Sequence, residues 1–181
     1  MIKKDNIQEV FKVLDQKMTE KGRNEELVIF GSGALLVQGI GNETRYTEDV
    51  DVVKPSFDNE MWLISAETGE QFGMKMGWLN TAGLIFSRNF PEGWETRTVE
   101  VFNGKSLKVK SLGRSDLIST KFQALCDRAK ATDREDMKAL KPTDKELKVA
   151  RDWVISLKPE VKDLADDLLK IFKSKGRGLG R

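Results

Sequence analysis

Apolar residues recur at helical spacing near the start of the chain. Ile7, Val10, Phe11, Leu14 and Met18 share one side, which predicts a packing helix over residues 3–21. Asp5 is the expected N-cap and Gly22 the expected stop. The next apolar run, Leu27–Phe30, is short and continuous, as in a strand buried on both faces. It runs into Gly31-Ser32-Gly33, and Ala34–Gln38 then reads as a short helix. A polar connection, Gly39–Glu48, leads to Asp49-Val50-Asp51-Val52-Val53. A strand alternates its side chains, so Asp49 and Asp51 share one face while Val50 and Val52 share the other.

Downstream, Asp58–Gly73 reads as a helix with Asp58 as N-cap, and Met61, Trp62, Ile64 and Ser65 on its inner side. Met74–Leu79 and Leu84–Ser87 read as short strands, and Pro91-Glu92-Gly93 as a turn. Thr96–Phe102 alternates, with Arg97, Val99 and Val101 on one face and Thr98, Glu100 and Phe102 on the other. Leu107–Leu112 is the last predicted strand, one face apolar and one basic.

From Ser115 or Asp116 onward the pattern is helical. Leu117, Lys121 and Leu125 fall at i, i+4 and i+8. Lys121 therefore sits on an apolar stripe, where lysine is costly unless paired, serving a ligand or reaching the edge of the core. Arg128 lies on the same face and could meet phosphate. Thr132–Glu135 and Thr143–Glu146 both have capping-box spacing. In the helix after the first box, Asp136, Met137 and Leu140 share a side, which suggests an ion pair between Asp136 and Lys121. Pro159 suits the first turn of a final helix, and the end from Gly176 to Arg181 is expected to fray. The fold class is α/β of the α+β kind: a small mixed sheet with packed helices over residues 1–114, then a helical region over residues 115–181.

Composition narrows the chemistry. The chain has 181 residues, 39% hydrophobic and 33% charged, which suits a folded globular protein. Its 31 basic and 29 acidic residues give no general attraction to nucleic acid or membrane; the basic end, Lys170–Arg181, is the local exception. There is no histidine, which excludes Ser-His-Asp and Cys-His nucleophile systems and imidazole acid–base work. One cysteine, Cys126, leaves no internal disulfide, and its helical setting predicts a small buried hydrophobe. No secretory signal or membrane-length apolar run is visible, so a cytoplasmic location and no membrane partner are expected.

What remains is carboxylate, lysine, arginine, hydroxyl and backbone chemistry. Asp is disfavoured in strands, and two on one face repel each other unless a cation compensates. Hard divalent ions take carboxylate oxygens, and magnesium commonly uses one or two of them plus substrate phosphates. The plainer reading of the pair is the solvent-facing half of an amphipathic strand. Gly31-Ser32-Gly33 gives a tight turn into a helix whose first amides and Ser32 hydroxyl suit an anion, although such corners are common in α/β proteins. Arg45 could pair with phosphate or a carboxylate, or be an exposed loop arginine.

Gly31-Ser32 followed by Asp49-Val50-Asp51 resembles the signature of the nucleotidyltransferase fold shared by DNA polymerase beta and the minimal nucleotidyltransferases. Gly33-Ala34-Leu35-x-x-x-Gly39, then Arg45-x-Thr47-x-Asp49-Val50-Asp51, resembles small bacterial members, including the AbiEii-like toxins. The likeness is specific over residues 28–53 and looser to about 140. It implies transfer of a nucleotide monophosphate from an NTP such as ATP to a hydroxyl on a protein, tRNA or small molecule. It further implies Mg2+ or Mn2+ on Asp49 and Asp51, and phosphate or nucleotide binding at Gly31, Ser32, Arg45 and Thr47. Lys121 would face the cleft, and Glu100 is the candidate third carboxylate, in a family that more often uses aspartate there. A toxin–antitoxin or defence setting, with a cognate toxin or antitoxin as partner, also follows from the resemblance. Two other readings stay open: a degenerate member that binds a nucleotide or partner without chemistry, and a nucleic-acid-binding accessory protein using the basic tail.

Overall fold

The computed structural model describes residues 1–176, with side chains to Lys173. The fraying expected at the C-terminus concerns residues 177–181 and lies outside the described part. The chain divides into two compact units, residues 1–88 with 93–113, and residues 89–92 with 114–181.

The first unit is built on a mixed five-stranded sheet. Its central strand is β2 (Glu25–Phe30), after a short β1 (Ile2–Lys3) and helix α1 (Ile7–Glu20). Helix α2 (Gly31–Val37) follows β2 directly; β3 (Tyr46–Thr47) pairs with β1 in a separate two-stranded ribbon. Then come β4 (Val50–Lys54), α3 (Asn59–Gln71), β5 (Leu79–Asn80), the single-turn α4 (Gly83–Phe86), β6 (Val99–Asn103) and β7 (Leu107–Ser111). The order across the sheet is β5-β4-β2-β7-β6. β4 is antiparallel to β2, β7 is parallel to β2, β5 is parallel to β4, and β6 is antiparallel to β7.

The core lies between the sheet and its helices. Ile7, Val10, Phe11, Leu14 and Met18 of α1 are buried with Leu27 and Ile29 of β2 and Leu107 and Val109 of β7. β7 alternates as its sequence dictates: Leu107, Val109 and Ser111 are buried, while Lys108 and Lys110 are only partly covered. The Asp15 carboxylate accepts hydrogen bonds from three consecutive backbone amides of the β6–β7 turn, Lys105 (3.1 Å), Ser106 (2.7 Å) and Leu107 (2.7 Å). A Cβ on Gly104 would stand 2.4 Å from that carboxylate, so only glycine fits there.

Several sequence expectations needed correcting. Asn6, not Asp5, precedes α1, and no side chain caps it. Asp58 does cap α3, accepting from the Met61 amide at 2.8 Å. Trp62 is not core: it is 38% exposed and sets its edge on Phe57, one position off the Met61, Ile64, Thr68 stripe. The core tryptophan is Trp78, whose indole N–H donates to the Ser65 carbonyl at 2.8 Å. Gly69 makes room for that ring, since a Cβ there would lie 2.4 Å from Trp78 Cδ1.

Of the strand expected at Met74–Leu79 only Leu79, with Asn80, pairs in the sheet, and the one expected at Leu84–Ser87 is the helical turn α4. Short apolar runs are ambiguous between the two states, and tertiary contact decides them. In β6 the pairing shifts register between Glu100 and Phe102. The extra residue, Val101, undoes the expected alternation. Glu100 stands beside Lys110, whereas Phe102 stands beside Val109 and brings its ring to 5.7 Å from Phe11.

The second unit is helical: α5 (Arg114–Arg128), α6 (Ala131–Leu140), α7 (Asp144–Leu157), a 3-10 turn at Pro159–Val161, and α8 (Lys162–Gly176). Leu117, Phe122, Leu125, Met137, Leu140, Leu147, Ala150 and Val154 are buried in it. The capping box at Thr143 and Glu146 is complete. That at Thr132 is not formed, because α6 starts two residues earlier and Lys130 occupies the cap position. Cys126 is half-buried and free, and burial pushes its thiol up to about 11, which leaves it protonated and unreactive at neutral pH. No helix among the described residues is long and apolar enough to cross a membrane.

The Asp15 clamp replaces water at three amides with one charged acceptor. Asp15→Ala is expected to lower the unfolding free energy by about 2 kcal/mol in urea titrations. A change within about 0.5 kcal/mol would show that the clamp contributes little.

Candidate active site

Gly31 follows the central strand and opens α2 with φ +71°, a conformation that a β-carbon would strain. Two residues on, Gly33 lies so close to β4 that a Cβ would meet Val50 Cγ2 at 3.0 Å and Val50 Cα at 3.2 Å. The absence of side chains at these two positions lets α2 lie flush on β4. Asp51 is the register partner of Phe30, and its Oδ2 is 3.4 Å from where a Gly31 Cβ would stand. The glycine corner and Asp51 therefore stand side by side.

Asp49 immediately precedes β4 rather than lying within it, and its side chain is 42% exposed. Lys75 supplies positive charge to this corner. Its ammonium donates to Glu48 Oε2 at 2.9 Å and lies 3.9 Å from Asp49 Oδ2. The Glu48 hydrogen bond raises the Lys75 pKa, burial slightly opposes it, and the charges of Glu48, Asp49 and Asp51 add to the rise. The same hydrogen bond holds Glu48 below its ordinary value.

Across the sheet, the residue paired with Asp51 on its other side is Asn80 of β5. Asn80 Oδ1 accepts from the Ala82 amide at 2.9 Å. Spacing along the chain could not reveal this neighbour, because β5 is only two residues long. Glu100 is not brought to the pair: β2 and β7 separate its strand from β4, and Lys108 lies 3.8 Å from its carboxylate. Among the described residues no group of three acidic, cysteine or histidine side chains is placed to hold a metal. The donor set at this corner is two carboxylates, one pinned on the strand and one partly exposed. That set fits a magnesium or manganese ion completed by substrate phosphates and water.

Thr47 is 9% exposed within the β1–β3 ribbon, paired with Ile2. Arg45 folds against Gly41, where a Cβ would lie 2.6 Å from its Cδ. A depression of about 390 Å3 lined by Glu26, Asn103, Lys105 and Lys108 opens at the far end of β2 from Gly31, away from the carboxylates.

In the second unit Lys121 is 5% exposed. The ion pair read from the sequence is present: Lys121 Nζ lies 2.6 Å from Asp136. Asp133, not singled out from the sequence, is a second partner at 3.2 Å. It also receives a two-pronged contact from Arg128, Nε to Oδ2 at 2.8 Å and a terminal nitrogen to Oδ1 at 3.1 Å. Its position three residues before Asp136, on the same helix face, was the available signal. Burial pushes the Asp133 carboxyl up, but the Arg128 hydrogen bond and the Lys121 charge outweigh it and hold it below its ordinary value.

A mixed sheet with a glycine corner beside an Asp-x-Asp strand is the arrangement of a nucleotidyltransferase-like protein. Residues 5–145 match the family described as nucleotidyltransferase of unknown function (DUF6036), and the chain belongs to that family. No curated protein matches it. Among solved structures it is similar to an antigenic nucleotidyltransferase-like protein from Paracoccidioides brasiliensis, with 17% identity over 91% of this chain and 94% of that one and a TM-score of 0.49.

The Lys121 cluster yields a pH prediction. A carboxyl depressed in the folded state contributes fully above its unfolded value, about 4, and that contribution is lost as pH falls through the lower folded value. Asp133→Asn should therefore destabilise the protein by on the order of 3 kcal/mol at pH 7 and by less near pH 3, where the contribution is already being lost. Urea titrations at both pH values check this, and an equal loss at the two would contradict it.

Proposed function

We propose that this protein is a metal-dependent nucleotidyltransferase that moves NMP from an NTP to a hydroxyl acceptor on a protein, tRNA or small molecule. The observation that carries the reading is the closeness of the Asp51 carboxylate to the Gly31 corner, with Asp49 two residues away, in a chain of this family. Asp49 and Asp51 hold the metal, which when bound neutralises charge on the triphosphate. Gly31 and Ser32 receive phosphate at the start of α2, and Lys75 stands ready to exchange Glu48 for a phosphate oxygen.

In the reaction the acceptor oxygen bonds to the α-phosphorus, the bond from that phosphorus to the bridging oxygen breaks, and pyrophosphate leaves. The hydroxyl proton passes to solvent. Such chemistry rests on positioning and charge stabilisation and needs no histidine. Arg45 lies on the loop leading to Asp49 and is proposed as an outer phosphate contact. Glu100 has no part in the step, and Lys121 acts by holding the helical unit together. A toxin–antitoxin or defence setting is the biological context that suits this small member.

A second reading, nucleotide binding without transfer, draws support from the separation of Glu100 from the aspartate pair. One experiment separates the two. The protein is incubated with Mn2+, each α-labelled NTP in turn, and cell extract. Transfer of label to an extract component, lost at least a hundredfold in Asp49→Asn, supports the enzyme. Tight metal-dependent NTP binding with no transfer supports the second reading, and no metal-dependent binding at all overturns both.

A further inference from the structure

We infer that Phe86 is the platform on which the base of the bound nucleotide stacks, an inference that rests on the reading of Asp49 and Asp51 as the triphosphate–metal site. Phe86 is 56% exposed, and Ile85 beside it is 74% exposed, although both lie on a helical turn anchored to the sheet. The Phe86 ring is tilted against Phe30, centroid to centroid 6.0 Å. Phe30 is the register partner of Asp51, so its side chain rises on the same face of the sheet as that carboxylate. An exposed aromatic ring thus stands one strand spacing and one ring contact from the Asp51 corner, on the face where the phosphates would lie.

The turn that carries it is held firmly. A Cβ on Gly83 would meet the Val52 carbonyl oxygen at 2.5 Å and Phe30 Cε1 at 2.9 Å, so only glycine lets α4 seat against β4. At its start, Asn80, already paired with Asp51, accepts from the Ala82 amide; at its end, the Ser87 hydroxyl donates to the Leu84 carbonyl at 2.9 Å. The position of Phe86 relative to Asp51 is therefore fixed before any ligand arrives, which lowers the ordering cost of binding.

A phenylalanine face has no hydrogen-bonding edge and stacks on any base, more strongly on the larger purines. The chemistry favours a nucleoside triphosphate, purine over pyrimidine, with discrimination by stacking area. A second protein is the other occupant such a patch could serve, and the test below distinguishes it.

The test compares ATP with inorganic tripolyphosphate, each titrated with Mg2+ present by calorimetry. Wild type should bind ATP more tightly than tripolyphosphate. Phe86→Ala should weaken ATP about tenfold and leave tripolyphosphate unchanged. Phe86→Trp should retain ATP affinity, and its added indole fluorescence should be quenched by ATP and not by tripolyphosphate. UTP should lose less than ATP in Phe86→Ala. If Phe86→Ala changes neither affinity, or both equally, the platform is wrong and the patch serves something else, while the triphosphate site stands. If wild type binds neither probe, the reading of the aspartate pair falls and this inference falls with it.

Discussion

How closely a helix can approach a strand is set by what stands between their backbones. Here nothing does: Gly33 brings α2 against Val50, and Gly31 turns the chain in the left-handed region at its first residue. A side chain at either position would lift α2 or strain its start. The consequence reaches past packing, because the same closeness puts the Asp51 carboxylate against Gly31. The strand, the turn and the acid are held by a single steric allowance. Gly83 repeats the arrangement on the outer side of β4, where it seats α4 against the Val52 carbonyl and carries Phe86 to the same corner.

Charge is distributed differently in the two units. Around Asp49 and Asp51 it stays partly hydrated: Asp49 is partly exposed, and Lys75 holds Glu48 at the surface. Such an arrangement can be rearranged cheaply when another cation or a phosphate competes for it. Around Lys121 the charges of Lys121, Asp133 and Asp136 are buried, and each is committed to an opposite partner. Removing one leaves another without compensation, which is costly inside a protein. The first arrangement suits a site that exchanges ligands, the second a helical framework.

Much of this was legible in the sequence. The stripe Ile7 to Met18, the run Leu27–Phe30, the cap at Asp58 and the box at Thr143 each carry a strong local signal, and each element is present. The corner and aspartate pair were readable because glycine and aspartate are unusual where they stand. What sequence could not supply was sheet order. Glu100 had the right residue type and strand setting, yet β2 and β7 lie between it and β4. Val101, a single extra residue in β6, was enough to send Phe102 to the opposite face from Glu100. Asn80 carries no signal along the chain, because two paired residues make no periodicity. Leu84–Ser87 reads as a strand because a short apolar run looks alike in either state, and the decisive contact, Gly83 on Val52, joins positions thirty-one residues apart.

The sheet order also has a consequence for biosynthesis. β7 lies beside β2 at the centre of the sheet, although some eighty residues of chain separate them. While the protein is being made, β2 and β4 emerge together and can pair at once. The other edge of β2 stays bare until residues 107–111 have left the ribosome. For that interval an apolar strand, Leu27 to Phe30, shows unpaired amides and carbonyls to its surroundings, the condition under which nascent chains recruit chaperones or pair with one another. The Asp15 clamp then takes on a second meaning: an acid on the first helix, translated early, is waiting for the turn that delivers the missing strand.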